Sequence, residues 1–238
     1  MPTPLLFLPG LACDADVWQD QVRAFSKFTT VRVADYGLSD SIEKMARVAI
    51  DGAPERFVVA GHSMGGRVAF EIARSAPERI AGIALLDTAY RAFAGGEAGE
   101  RETAARSALL ELARTKGMRA MAEYWMKGIV HPDRLADKVL TGAIVEMMGR
   151  KSPEIFAAQI KALLGRPNAT PVLPAIRCPT LVLCGREDTW SPLAVHRQMV
   201  TMIPGSKLAV IEHCGHMAPM ERPADVTAAL SAWFSGLS

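Results

Sequence analysis

A short serine segment flanked by glycines constrains this chain more than any other feature. The residues Gly61-His62-Ser63-Met64-Gly65 follow an apolar, β-prone run at 56–60 and precede apolar residues at helical spacing. A strand that turns directly into a helix places such a serine on a strained elbow with its hydroxyl exposed. Gly61 and Gly65 lack the Cβ atoms that would clash where the chain reverses. The pattern therefore predicts that Ser63 is a nucleophile.

Length and charge exclude several classes of protein. The 238 residues suffice for one large α/β domain, and half of them are hydrophobic while 22% are charged. The formal net charge is only +2 and no run of five basic residues occurs, so we expect no nucleic-acid partner. No apolar run approaches the roughly 20 residues of a membrane span, so we expect no membrane partner. We expect a monomer or a homodimer.

The N-terminal segment and the cysteines predict the compartment. The apolar start, Met1 to Leu8, lacks a cationic flank and a small-residue cleavage site, so we interpret it as a buried strand and not as a signal peptide. The cysteines at positions 13, 178, 184 and 214 show neither metal-type nor redox-type C-x-x-C spacing. We therefore expect reduced thiols and a cytoplasmic protein.

Apolar runs rich in Val, Ile and Leu alternate with helical patterns along most of the chain. The runs are Pro4–Leu8, Thr30–Ala34, Arg56–Ala60, Ile80–Leu86, Thr180–Cys184 and Leu208–Ile211. Continuous apolar strands separated by helices predict an α/β fold, with a mostly parallel central sheet covered by helices on both faces.

Local signals predict where three helices begin. Asp40, followed three residues later by Glu43, resembles a capping box. Ser191 and Pro192 resemble an N-cap followed by a proline at the first helical position, and Pro223 opens a last helix.

One segment interrupts the alternation of strands and helices. No strand-like run occurs from about Arg91 to Gly165, where helical stripes follow one another, as in the set Met118, Met121, Ala122, Trp125 and Ile129. We predict a helical cap at 90–170, inserted into a core formed by 1–89 and 171–238. Most stripe residues are expected in helix packing, and a methionine-rich site favours apolar acyl or alcohol groups of modest size.

A serine hydroxyl becomes a useful nucleophile only beside a base, which itself needs an orienting group. Asp188 and His216 each follow an apolar run, at the strand ends where functional groups of open parallel sheets gather. The order Ser63, Asp188, His216 along the chain is the one expected for a strand–turn–helix nucleophile. We therefore predict these three as catalytic residues.

Other residues compete for the same roles. Asp87 also ends an apolar run and is a rival acid, whereas Glu187 is expected to point elsewhere on its turn. His213 is the nearest rival base. His62 adjoins Ser63, but neighbouring side chains diverge at such an elbow.

Acyl transfer also needs hydrogen-bond donors for the oxyanion of the tetrahedral intermediate. The backbone N–H after the nucleophile supplies one, and this residue is Met64. A loop after an early strand supplies the second, which makes the Leu11 N–H our candidate. Together these form the predicted oxyanion hole.

These motifs together resemble the α/β-hydrolase superfamily, in the capped single-domain branch that includes carboxylesterases, carbon–carbon bond hydrolases and cofactor-free haloperoxidases. The resemblance rests on L-P-G-L at 8–11, G-H-S-M-G-G at 61–66, L-L-D-T at 85–88, G-R-E-D at 185–188 and G-H-M-A-P-M-E-R-P at 215–223. It implies an α/β-hydrolase fold with a helical lid at 90–170. It further implies that Ser63 is the nucleophile, Asp188 the orienting acid and His216 the general acid–base.

The resemblance implies hydrolysis of a small carboxylic ester through an acyl-serine intermediate, with no metal and no organic cofactor. The same three residues would serve carbon–carbon bond hydrolysis or acyl transfer, so these alternatives stay open. A ligand-sensing protein that retains the hydrolase fold is a further alternative. Serine in place of aspartate at position 63 argues against dehalogenase and epoxide-hydrolase chemistry.

Overall fold

Six parallel strands form one sheet, and each corresponds to a predicted apolar run. The computed structural model describes residues 3–237. The strands are β1 (Leu5–Leu8), β2 (Val31–Val33), β3 (Phe57–His62), β4 (Ile80–Leu86), β5 (Thr180–Gly185) and β6 (Lys207–Ile211). Their order across the sheet is β2-β1-β3-β4-β5-β6, and every neighbouring pair is parallel. The predicted fold class is confirmed.

The central strands are covered on both faces. Every residue of β1, β3 and β5 is buried, although successive side chains of a strand point to opposite faces of the sheet. On one face, Phe7 stacks on Trp18 with ring centroids 4.6 Å apart and meets Phe25 edge-on. Trp18 is fully buried in this cluster and is therefore a core residue.

Helices connect the strands and flank the sheet. Among residues 3–237 they are α1 (Gln19–Phe25), α2 (Ile42–Ile50), α3 (Met64–Ser75), α4 (Gly96–Trp125), α5 (Lys138–Gly149), α6 (Pro153–Leu164), α7 (Leu193–Met202), α8 (Ala218–Glu221) and α9 (Pro223–Phe234). Three of them, α4 to α6, follow one another between β4 and β5, and α4 is broken at Gly117, where φ is 87°. The segment predicted as a cap is therefore helical, while its division from the core stays a prediction.

The start of α2 differs from the prediction by one residue. Ser41 is its N-cap, with Oγ accepting the Lys44 N–H at 3.2 Å, so the predicted capping box of Asp40 and Glu43 is wrong. Asp40 instead binds two ammonium groups, those of Lys44 and Lys161, each at 2.6 Å. Two cations compete with the backbone for this carboxylate, and the neighbouring serine caps the helix.

A second predicted helix start is also wrong, and a third is confirmed. Helix α7 begins at Leu193, so Pro192 precedes the helix and the Ser191 side chain does not cap it. The Ser191 N–H donates to Asp188 Oδ1 at 2.9 Å, which directs this residue toward the preceding turn. Helix α9 begins at Pro223, as predicted.

Two further expectations concern membranes and thiols. In the described part of the chain, no helix combines the length and the apolarity that crossing a membrane requires. The four cysteines are unpaired, in line with the expectation of reduced thiols. The cytoplasmic compartment stays a prediction.

The close approach of α3 to β1 predicts a large effect of a single methyl group. A Cβ at Gly65 would lie 2.0 Å from the Leu8 carbonyl oxygen, and backbone there has no room to move aside. We expect Gly65→Ala to lower the free energy of unfolding by about 2 kcal/mol or more, measured by urea denaturation.

A glycine in an open environment provides the matched control. Gly142 lies within α5, and a Cβ there would meet nothing within 4 Å. Gly142→Ala should raise the free energy of unfolding by about 0.5–1 kcal/mol, because glycine loses more backbone entropy than alanine in a helix. Similar effects of the two substitutions would contradict the close approach.

Candidate active site

Ser63 occupies a sharp turn between β3, which ends at His62, and α3, which begins at Met64. Its backbone has φ 53° and ψ −115°, a region that non-glycine residues rarely adopt. A Cβ at Gly61 would lie 2.3 Å from the Gly65 carbonyl oxygen, so the turn requires glycine there. The predicted strand–elbow–helix geometry is confirmed.

Three side chains that are distant in sequence form one continuous hydrogen-bonded chain. Ser63 Oγ lies 2.8 Å from His216 Nε2, and His216 Nδ1 lies 2.8 Å from Asp188 Oδ2. Ser63 follows β3, Asp188 follows β5 and His216 follows β6, so the carboxyl ends of parallel strands bring them together. The structure thus assembles all three residues that the sequence predicts.

The surroundings of Asp188 determine which nitrogen of His216 carries the proton. Burial acts to raise the pKa of Asp188, but His216 and the backbone N–H groups of Ser191 and Trp190 lower it below its ordinary value. An ionised carboxylate only accepts hydrogen bonds, so His216 Nδ1–H donates to Asp188. The His216 Nε2 lone pair then faces the hydroxyl of Ser63, as a general base requires.

The rival acid, Asp87, has a different hydrogen-bond partner. Its Oδ1 accepts the Gly185 N–H at 2.9 Å, and its Oδ2 lies 3.9 Å from His62 Nε2. Burial and the nearby charge of Asp188 raise the pKa of Asp87 well above its ordinary value. The geometry therefore favours Asp188 as the partner of His216.

The remaining rivals make contacts elsewhere. His213 is exposed, has φ 49° and meets the ring of His131 edge-on, with centroids 6.1 Å apart. Glu187 accepts the Cys214 N–H at 3.0 Å, so its carboxylate points away from the ring of His216, as predicted.

The two predicted oxyanion donors both border the pocket that contains Ser63. Met64 is the first residue of α3, where backbone N–H groups have no partner within the helix and the helix dipole favours negative charge. The Leu11 N–H has no acceptor among the described residues. Their role as an oxyanion hole stays a prediction.

Gln159 is a positioning residue that the sequence reasoning missed. Its Oε1 accepts the Ala12 N–H at 2.8 Å, next to Leu11, and Ala12 has φ 59°. Gln159 is buried on α6 between Phe156 and Ile160. A polar residue in an apolar stripe was the available signal, because a buried amide needs a hydrogen-bond partner.

Glu221 holds the loop that carries His216. Its carboxylate accepts the N–H groups of His131 at 2.8 Å, Gly215 at 3.1 Å and Met217 at 3.0 Å. Glu221 is buried on α8, and burial raises its pKa even though these donors oppose the shift. No spacing rule in the sequence indicated these three contacts, because they arise only when the loops are folded together.

The pocket over Ser63 and His216 is a cavity of about 370 Å³. It is bordered by Leu11, Ser63, Met64, Arg67, Thr88, Ala89, Arg91, Ala92, Ala94, Glu102, Arg106, Trp125, Leu163, Arg166, Trp190, Ser191 and His216. Met64 is the single methionine in this set, while Met118, Met121, Met147 and Met148 are buried in packing. The methionine-rich, apolar site that the sequence suggested is therefore not what the structure shows.

One group of side chains has the spacing of a metal-binding set. Among the described residues, donor atoms of His131, Asp133 and His213 lie within 4.8 Å of one another. None of the three borders the pocket of Ser63.

Two buried histidines flank the hydrogen-bonded chain in neutral form. His62 Nε2–H donates to the His216 carbonyl oxygen at 2.7 Å, and burial chiefly lowers the pKa of His62 to about 3. His196 Nε2 accepts the Thr88 N–H at 3.1 Å, while its Nδ1–H donates to the Pro192 carbonyl oxygen at 3.2 Å. Burial lowers the pKa of His196 to about 4.

Comparison with known proteins assigns the chain to a family. The sequence matches the Alpha/beta hydrolase family over residues 5–230, and the chain belongs to this family of enzymes. A thermophilic esterase from Thermogutta terrifontis, solved with malate bound, has a similar structure, with a TM-score of 0.87 and 29% identity. The similarity covers 100% of this chain and 91% of the esterase. The predicted resemblance is confirmed.

Two relatives indicate the range of chemistry among similar sequences. The pimeloyl-[acyl-carrier protein] methyl ester esterase of Nitrosomonas europaea is 26% identical over 228 residues, 89% of this chain and 88% of the esterase. The 2-hydroxy-6-oxononadienedioate/2-hydroxy-6-oxononatrienedioate hydrolase of a Pseudomonas species is 28% identical over 170 residues, 70% of this chain. The match spans 59% of that hydrolase, less than two thirds of its length.

The buried neutral histidines predict how stability depends on pH. The unfolded His196 binds a proton near its ordinary pKa of 6.5, whereas the folded one does so near 4, so stability falls as pH drops through this window. Between pH 7 and pH 5 the free energy of unfolding should fall in wild type. In His196→Gln it should fall by about 2 kcal/mol less. Urea denaturation of both proteins at the two pH values measures it. Equal losses in wild type and variant would contradict the buried neutral state.

Proposed function

We propose that this chain is a serine hydrolase that cleaves small carboxylic esters through an acyl-serine intermediate. The observation that supports it most strongly is the 2.8 Å contact of Ser63 Oγ with His216 Nε2, continued by the 2.8 Å contact of His216 Nδ1 with Asp188 Oδ2. The two esterases described above, at 29% and 26% identity, support the same class of reaction.

In the first half-reaction, His216 takes the proton of Ser63 as Oγ attacks the ester carbonyl carbon. Asp188 holds the Nδ1–H tautomer and stabilises the imidazolium that forms. The oxyanion accepts hydrogen bonds from the N–H groups of Leu11 and Met64. The bond from carbonyl carbon to alkoxy oxygen then breaks, and the alcohol leaves with the proton that His216 returns.

In the second half-reaction, water attacks the acyl-serine after losing a proton to His216. The tetrahedral intermediate collapses, the acid leaves, and Ser63 recovers its proton. Each proton therefore passes through one imidazole, from Ser63 to the leaving alcohol and then from water back to Ser63. The buried carboxylate of Asp188 stays ionised throughout.

Hydrolysis of a carbon–carbon bond is the second candidate. It is favoured by the Pseudomonas hydrolase, which is 28% identical over 170 residues and is named for an oxo-dioate substrate. The same three side chains would act on a diketone-like substrate. Acyl transfer to an acceptor other than water would use the same acyl-serine.

A panel of 4-nitrophenyl esters with increasing acyl length, assayed beside a diketone panel, tests the proposal. We expect steady ester turnover by wild type and a fall in kcat of about 10⁴ or more in Ser63→Ala, because no other group replaces the nucleophile. The exposed Ser26 provides a control, since Ser26→Ala should retain wild-type turnover.

Other outcomes of this assay identify the alternatives. Turnover of diketones without turnover of esters would favour the carbon–carbon hydrolase. Ligand binding without any turnover, or full ester activity in Ser63→Ala, would contradict the serine hydrolase.

A further inference from the structure

The pocket that contains Ser63 carries an excess of positive charge. Four arginines border it, at positions 67, 91, 106 and 166, and Glu102 is the one acidic residue in the lining. A pocket for a neutral ester needs no such charge. A cluster of guanidinium groups is typical of sites that bind carboxylate or phosphate.

Glu102 compensates only part of this charge. Its carboxylate is shared by Arg106 and Arg166, each with a nitrogen 2.7 Å from Oε1. Arg166 also lies over the ring of Phe93, at 5.4 Å from the centroid. The Nε of Arg166 is buried and has no hydrogen-bond partner among the described residues. One carboxylate thus serves two cations and leaves a donor unsatisfied.

Arg67 has no carboxylate partner within ion-pair distance among the described residues. Its Nη1 donates to the Arg91 carbonyl oxygen at 2.8 Å, a neutral acceptor. Burial, followed by the positive charge of Arg166, lowers the pKa of Arg67 to about 9. The charge of Glu102 opposes this shift only in part. A partly buried cation without a carboxylate in direct contact is costly, and an anionic ligand would reduce that cost.

The position of Arg67 relates this charge to the reaction. It lies on α3 four residues after Ser63, which is about 6 Å along a helix axis. Its long side chain borders the same cavity as the Ser63 hydroxyl. An anion held there would lie in the same cavity as the carbonyl that Ser63 attacks.

We propose that Arg67, with Arg91, Arg106 and Arg166 around it, forms a carboxylate subsite, and that the substrate is an ester bearing a free carboxylate. This inference rests on the proposed function, because it takes Ser63 as the attacking group. A guanidinium binds a carboxylate through two parallel hydrogen bonds, which fixes the substrate's orientation as well as adding affinity. The carboxylate belongs to the acyl half or to the alcohol half of the ester.

Matched pairs of esters test the subsite and locate the carboxylate. The first pair is 4-nitrophenyl hemiglutarate and its methyl ester, with the charge on the acyl side. The second is 4-acetoxybenzoate and its methyl ester, with the charge on the leaving group. In one pair, wild type should show a roughly 10- to 100-fold higher kcat/KM for the charged member, the range typical of one charge-assisted pair.

Substitutions of Arg67 identify the residue responsible. Arg67→Met should bring the kcat/KM ratio of the preferred pair toward one, and Arg67→Lys should retain part of it because the charge remains. Arg101 lies on α4 outside the pocket, exposed and paired with Glu97, so Arg101→Met should keep the wild-type ratio. Equal kcat/KM within both pairs for wild type would overturn the subsite and leave the esterase intact.

Calorimetry with glutarate separates the two proposals, because binding does not require hydrolysis. We expect glutarate to bind wild type and to bind Arg67→Met at least about tenfold more weakly. Arg67-dependent binding in a protein that hydrolyses no ester would support the subsite and contradict the esterase. Absence of glutarate binding, or equal binding by both proteins, would overturn the subsite.

Discussion

The backbone of Ser63 is the constraint on which the rest of the site depends. At φ 53° it holds a conformation that costs about 1–3 kcal/mol and persists only where the surroundings enforce it. Its N–H donates to the Leu86 carbonyl oxygen at 2.9 Å, and its carbonyl oxygen accepts from Thr88 Oγ1 at 2.7 Å. Leu86, at the end of β4, and Thr88 just after it thus bind the N–H and the carbonyl oxygen of Ser63. Gly65, two residues after Ser63, has no Cβ, so the end of β1 can lie directly against this turn.

Hydrogen bonds join the helical segment between β4 and β5 to the loops that present the site. Gln159 on α6 holds the backbone of Ala12, and the Ile129 carbonyl oxygen accepts the His216 N–H at 2.8 Å. The Trp190 Nε1–H donates to the Gly128 carbonyl oxygen at 3.0 Å, near the turn of Asp188. The position of these helices and the geometry of the hydrogen-bonded chain are therefore coupled. A shift of the helical segment would move both His216 and the loop that carries Leu11 and Ala12.

The sequence was sufficient for the features that local chemistry determines. Continuous apolar runs predicted the strands, and glycines around Ser63 predicted the elbow, because each follows from the backbone and its nearest neighbours. The ends of parallel strands meet at one edge, which is why Asp188 and His216 could be found by position. Asp87 remained a rival until the structure placed its carboxylate against the Gly185 N–H.

The charge of the pocket could not be predicted in this way. Arg67, Arg106 and Arg166 lie on α3, on α4 and after α6, and in the sequence each resembles an ordinary charged surface residue. Only the docking of these elements gathers them around one cavity. Likewise, Asp40 binds Lys161, a residue 121 positions away, while the neighbouring Ser41 caps α2. Tertiary contacts decided these features, and no spacing in the sequence encodes them.

The central claim is that His216 and Asp188 convert the Ser63 hydroxyl into a nucleophile. The rate of covalent labelling by a serine-reactive phosphonate, followed by intact mass and peptide mapping, measures this directly. We expect one label on Ser63 in wild type, and labelling at least about 100-fold slower in His216→Gln and in Asp188→Asn. An unlabelled wild-type protein, or labelling of Ser63 at the same rate in all three proteins, would contradict it.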